Sequence, residues 1–188
     1  MKSRYEGWRL KDRYKWESGN KILVVGVGKV LFDEEQATVA LIRKLLAQFG
    51  LPFEVEAIKH GSYLSRIIHE ILQSCLSENL LNDDCVIDKL NERREKESIF
   101  CPAIVLKINP TEYRFVDPQA IYGIGMEDGL VMLRCAHEEA VRHELGHMLG
   151  INSHCTKRDC VMNYLCLSNH FCDNCEAKLR RIWHRVSS

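Results

Sequence analysis

A chain of 188 residues with 26 basic and 26 acidic side chains carries no net charge, so its global electrostatics favour neither nucleic acid nor an anionic membrane. Hydrophobic residues make up 46% and charged residues 28%, the balance of a globular protein long enough to bury one core. No apolar run approaches the roughly 18 residues that span a bilayer, and the basic N-terminus lacks the apolar centre of a secretory signal.

Residues 1–20 read as an N-terminal extension in which Lys and Arg are interleaved with Tyr5, Trp8, Tyr14 and Trp16. Such an arm can stack on single-stranded nucleic acid, but packing on its own domain is the simpler reading, and nucleic acid is not an expected partner. Residues 21–188 contain no Pro/Gly/Ser linker, internal repeat or low-complexity tract and read as a single domain. Ile22 to Val27 is a β-rich apolar run, predicted as a buried first strand. The Gly26-Val27-Gly28-Lys29 that follows has neither the spacing of a phosphate-binding loop nor that of a dinucleotide fingerprint, so it reads as a turn.

Asp33 and Gln36 can cap a helix that runs through Val39, Leu41, Ile42, Leu45 and Leu46 to Gly50. Phe53 to Ile58 alternates like a half-buried strand, and Ser62 to about Leu81 carries a helical stripe of Leu64, Ile67, Ile68, Ile71 and Leu72. His60 and His69 beside it read as surface or packing residues. Residues 82–98 are polar around Val86, Ile87 and Leu90 and suit a solvated helix or a mobile connection. Cys75 and Cys85 read as small buried hydrophobes or inert thiols. Pro102 to Ile108 is a further strand, followed by a loop with Pro110 and Pro118. Residues 120–134 then form two short strands about a Glu127-Asp128-Gly129 turn. Near the end, Glu176 to Val186 reads as a helix with Leu179, Ile182 and Trp183 inward and Arg180, Arg181 and Arg185 solvated.

Between these last elements lies the chemistry. His143 and His147 stand four residues apart in His143-Glu144-Leu145-Gly146-His147, so on a helix they project from one face and can chelate one ion. Glu144 sits about 100° round that helix, where it can reach a water at the metal without ligating it. Ala140, Val141, Leu145, Met148 and Leu149 supply the buried stripe, and Glu138 and Glu139 occupy the favoured acidic first turn. Gly150 falls where helices commonly end in the left-handed conformation, turning the chain back so that His154 can approach as a third ligand. Glu139 is also a candidate hydrogen-bond acceptor for His143, its simpler role being to serve the helix dipole.

Two close cysteine pairs follow, Cys155-x4-Cys160 and Cys172-x2-Cys175, and four thiolates so spaced can close a tetrahedral structural zinc site. Cys166 is the rival ligand; the short chelating loops favour the two pairs. Nine cysteines, an odd number without a signal segment, point to a reducing cytoplasm with thiolates on metal.

A helix-borne HExxH, a glycine, a further histidine, Cys-x4-Cys-x-Met and CxxC, in that order from Arg142 to about Trp183, resemble the archaemetzincin family of zinc metallopeptidases. The resemblance implies an α/β (α+β) metzincin-like fold. This would be a small mixed twisted sheet with an active-site helix, and a short C-terminal part built round a four-cysteine zinc site and a terminal helix. It makes His143, His147 and His154 the catalytic zinc ligands and Glu144 the general base. It places Met162 as the Met-turn residue beneath the metal, and Cys155, Cys160, Cys172 and Cys175 round a structural zinc. It also makes 122–133 the edge segment along which a peptide adds as a strand. Two departures stand out. The family pattern has two residues between the glycine and the third histidine, whereas Ile151, Asn152 and Ser153 stand here and Ser153 occupies the ligand position. A one-residue bulge would bring His154 in; Asp159 and His170 are the substitutes. Only nine residues separate Met162 from Cys172, fewer than the family usually has, so its substrate preference does not transfer.

The expected function is a zinc-dependent metallopeptidase, aminopeptidase action among the possibilities, with peptide or protein substrates and two Zn2+ per chain. The alternative is a zinc-stabilised, non-catalytic binding or regulatory protein that keeps the fold. Glu144 argues for the enzyme, because a purely structural site has no use for a base there. A Cys-rich zinc module for nucleic acid is a third reading, disfavoured by the neutral charge. Metal content should be about two zinc ions per wild-type chain and one in each of His154→Ala and Cys172→Ala, measured on purified protein. Two zincs at unchanged affinity in His154→Ala would remove it as the third ligand.

Overall fold

The structure, a computed structural model, describes residues 21–30, 32–51, 53–96, 103–115, 123–125, 129–135, 137–165 and 168–184. The N-terminal extension, the Glu127-Asp128 turn and Cys166 lie outside these residues.

The apolar run after residue 20 forms β1 (Lys21–Val27), and the next helix follows as α1 (Phe32–Gln48), with Asp33 inside its first turn. The chain returns through β2 (Glu54–Ala57), parallel to β1, and enters α2 (Tyr63–Ser74), whose N-cap Ser62 accepts from the Ser65 amide. This helix is shorter than its apolar stripe predicts. Cys75 caps it, and Glu78 and Asn79, both at positive φ, turn the chain between β3 (Leu76–Ser77) and β4 (Leu80–Leu81). Leu81 thereby reaches the core with no exposed surface, and β4 pairs in parallel with β6 (Arg114–Phe115) in a separate small sheet. Tertiary pairing has overridden local helical periodicity.

The segment read as a solvated helix or a mobile connection is a helix, α3 (Asp83–Lys96), begun by the Asn82 side chain on the Cys85 amide, with Val86, Ile87 and Leu90 buried. Three apolar residues on one side anchor an otherwise polar helix. Cys75 and Cys85 are not free thiols: they form a disulfide between the end of α2 and the start of α3.

The main sheet is completed by β5 (Ala103–Ile108), β8 (Leu130–Leu133) and β7 (Gly123–Gly125), in the order β2-β1-β5-β8-β7. Four strands are parallel; β7, at the edge, runs antiparallel to β8. Parallel strands need cover on both faces, and alternate residues supply it. Leu23, Val25, Ile104 and Leu106 face α2 and α3. Ile22, Val24, Val105 and Val131 face α1 and two later helices, α4 (Glu138–Met148) and α5 (Asp173–His184). Lys107 is the exception on that second face. Its fully buried amine donates to the Arg134 carbonyl at 3.3 Å and stands 3.9 Å from Glu34, so its charge is shared between the chain before α4 and the start of α1.

Two features dock α4. Arg142 donates to Glu138 one turn earlier and to Gln48 on α1, while Lys44 donates to the same Glu138 carboxylate. Those hydrogen bonds, Lys44's first, hold the Glu138 carboxyl below its ordinary range. On the other side α4 lies directly on the edge strand, where a methyl at Gly125 would overlap the Glu144 backbone carbonyl. Gly125→Ala should therefore cost about 1–3 kcal/mol, the usual range for overpacking, read as a lower denaturation midpoint. An unchanged midpoint would show that the strand yields freely.

Candidate metal centre

Helix α4 carries His143 and His147 on one face, as the spacing requires. It ends in a Schellman motif: the Gly150 amide donates to His147 O and the Ile151 amide to Gly146 O, with Gly150 at φ 110°. The turn does more than stop the helix. It presents the Ile151 carbonyl to Nδ1 of His147 at 2.6 Å. Nδ1 of His143 meets the Val161 carbonyl at 2.7 Å. A carbonyl on Nδ1 fixes the proton there and leaves Nε2 as the free lone pair, the usual arrangement behind a metal-ligating histidine. Val161, not Glu139, is thus the group that orients His143.

The two Nε2 atoms lie 3.2 Å apart, and one nitrogen from each of His143, His147 and His154 falls within 4.8 Å of the others. Tetrahedral ligands at about 2.05 Å from zinc would be about 3.3 Å apart, so the donor set fits that ion. The extra residue after Gly150 is absorbed in the loop, and His154 joins the cluster. Asp159 and His170 are not among the clustered donors, and His170 is exposed and paired with Ser168.

Burial sets the protonation states. It pushes His143 below its ordinary range and, with His143 nearby, His147 down to about 4. Both rings are neutral near pH 7 and ready to donate lone pairs. Burial pushes Glu144 the other way, to about 7, against a hydrogen bond from the Gly125 amide. The carboxyl next to the histidines is therefore also tied to the main chain of the edge strand.

The cysteines form a second cluster. The thiols of Cys155, Cys160, Cys172 and Cys175 lie within 4.8 Å of one another, with Cys155 and Cys172 at 3.7 Å. Thiolates on a tetrahedral zinc at about 2.3 Å would stand about 3.8 Å apart, so this set fits as well. Burial raises Cys160 and, with the neighbouring thiols, Cys175. Against the same push, the Cys175 amide and neighbouring thiols hold Cys172 below its ordinary range. A single polar site cannot ionise four such close thiols alone; a cation is what this set is suited to receive.

The clusters share backbone. Cys155 follows His154; Cys160 precedes Val161, whose carbonyl holds His143; and the Cys155 amide donates to Met162 O at 2.7 Å. Met162 is fully buried, and its sulfur occupies the space a side chain on Gly146 would take. Sequence spacing pointed to Met162 but not to its seat on Gly146, nor to Tyr164, whose ring packs on His154.

No family model matches this sequence, and no curated protein matches it. Among solved structures it is similar to the crystal structure of archaemetzincin from Methanopyrus kandleri. The match has a TM-score of 0.62 at 16% identity and covers 91% of this chain and 99% of that chain. At that identity the likeness is one of fold, and it extends well beyond the residues that suggested it.

Because one stretch of chain serves both clusters, disrupting the cysteines should loosen the histidines. Cys175→Ser leaves residues 142–165 intact in sequence and should weaken metal at the histidine cluster by about tenfold, a typical outer-shell effect. Chelator competition measures it, and an unchanged affinity would show that the turn holds itself.

Proposed function

We propose that the protein is a zinc-dependent metallopeptidase, with one ion held by His143, His147 and His154 and a second, structural, by Cys155, Cys160, Cys172 and Cys175. The observation that carries this reading is the position of Glu144: a buried carboxyl adjacent in sequence to a ligand-set histidine and hydrogen-bonded to the edge strand. A metal held only for structure gains nothing from such a group.

When bound, the catalytic ion supplies Lewis acidity, polarising a carbonyl and making water more acidic. The chain's own residues do the rest. The outer edge of β7, where no further strand pairs among the described residues, offers main-chain groups to an extended peptide, so binding energy comes from backbone pairing rather than from side-chain sequence. Glu144, one hydrogen bond from that strand, takes a proton from the attacking water and returns it to the leaving amine. A carboxyl pushed to about 7 can hold that proton at neutral pH, and a nearby cation lowers it again. Met162 contributes apolar support behind the ligands and no ligation.

Among the described residues no helix is long and apolar enough to cross a membrane. The free thiols of the four-cysteine cluster support a reducing compartment, the cytoplasm. The Cys75–Cys85 bond points the other way.

Glu144→Ala should retain its metal and lose peptide hydrolysis by at least about 10²-fold in kcat, the lower end of general-base contributions. Zinc analysis alongside cleavage of a mixed peptide library checks both halves. Hydrolysis that survives the substitution would sink the mechanism; a wild-type chain that binds zinc and cleaves nothing would favour the binding-protein alternative.

A further inference from the structure

The three clustered histidines are not held alike. His143 and His147 each have a backbone carbonyl on Nδ1, at 2.7 and 2.6 Å. His154 is exposed, lies beyond the additional loop residue, and takes no hydrogen bond on its ring among the described residues. Beyond the other two histidines its one aromatic neighbour among those residues is Tyr164. The ring centroids are 5.5 Å apart and the planes 81° to each other, an edge-to-face contact.

Tyr164 does not occupy that position by being buried: it is 57% exposed. It is held there by its neighbour. The Asn163 side chain donates to the Cys155 carbonyl at 2.9 Å and accepts from the Leu165 amide at 3.1 Å, clamping the backbone on both sides of Tyr164. Cys155 and Asn163 also form a parallel β-bridge, and the Cys155 amide donates to Met162 O. His154 and Tyr164 thus flank a bridged pair, His154 just before Cys155 and Tyr164 just after Asn163. Their contact follows from two short backbone links.

We propose that Tyr164 is a positioning residue for the third metal ligand, its ring doing for the plane of His154 what the carbonyls of Val161 and Ile151 do for the other two. The aromatic ring is the operative part and the hydroxyl is dispensable. An edge-to-face contact restrains a ring without choosing which nitrogen carries the proton, so His154 is the most loosely specified arm of the site.

The inference rests on the three histidines holding an ion, not on peptide hydrolysis, so the test reads zinc affinity. Full-length protein with the cysteine cluster loaded is titrated against a competing chelator, and retention of the cysteine-bound zinc reports an intact fold. Tyr164→Ala should bind zinc at the histidines roughly 3- to 10-fold more weakly, the range of one aromatic pair. Tyr164→Phe should stay close to wild type. Two results overturn the proposal: wild-type affinity in Tyr164→Ala, or a Phe variant as weak as the Ala variant. A wild-type chain that binds no ion at the histidines overturns the metal-site reading and this inference together, and is distinguished because no variant is needed to see it.

Discussion

Residues 150–163 form one turn of chain that supplies groups to both donor clusters, and the carbonyls it presents decide what the helix-borne histidines can do. Ile151 O takes Nδ1 of His147 and Val161 O takes Nδ1 of His143, so both rings turn Nε2 to the same point. The turn begins with a left-handed glycine and continues past Cys155 and Cys160, whose thiols join those of Cys172, just before the terminal helix, and Cys175 in its first turn. Helix end, ligand orientation and thiol cluster are therefore one construction. Its geometry is set by backbone hydrogen bonds, which cost little entropy once the helix behind them is docked.

Docking depends on space as much as on attraction. Glycine at 125 lets the Glu144 backbone rest on the edge strand, and glycine at 146 admits the Met162 sulfur against α4. A continuous apolar core runs from the sheet through α1 and α4 to Phe171, Cys172, Leu179 and Trp183, and the Trp183 indole donates to the Leu149 carbonyl. The terminal helix is thereby fastened to the end of the histidine-bearing helix, and its first turn brings Cys175 to the cluster. Close packing of this kind transmits displacement, because an interior at crystal-like density has nowhere to absorb it.

Burial also grades the site. His143 is buried, His147 partly so and His154 exposed, and the first two, the ones set into the core, are the ones shifted downward. Glu144, buried beside them, is moved upward by the same loss of hydration. One environment produces neutral bases in the imidazoles and a reluctant acid in the carboxyl, since desolvation always penalises the charged form.

The helix with its two histidines, the glycine that ends it, the two cysteine pairs and most strands were legible from spacing alone, because each depends on residues within a turn or two of one another. Helix and strand periods are local rules. What spacing could not convey lies between distant segments. That Val161, not Glu139, orients His143 joins residues 18 apart. Cys75 and Cys85 form a bond, the helix after Ser62 stops early for a hairpin, and Lys107 sits buried within a strand, all for reasons found in other elements. The place of His154 is the clearest case. Residue order set it one position late, and only the fold of the loop, with Asn163 and Tyr164 against it, brought its ring to the other two. Sequence determined which groups could donate; tertiary structure decided which of them meet, since convergence of side chains is a property of backbone paths that no local pattern encodes.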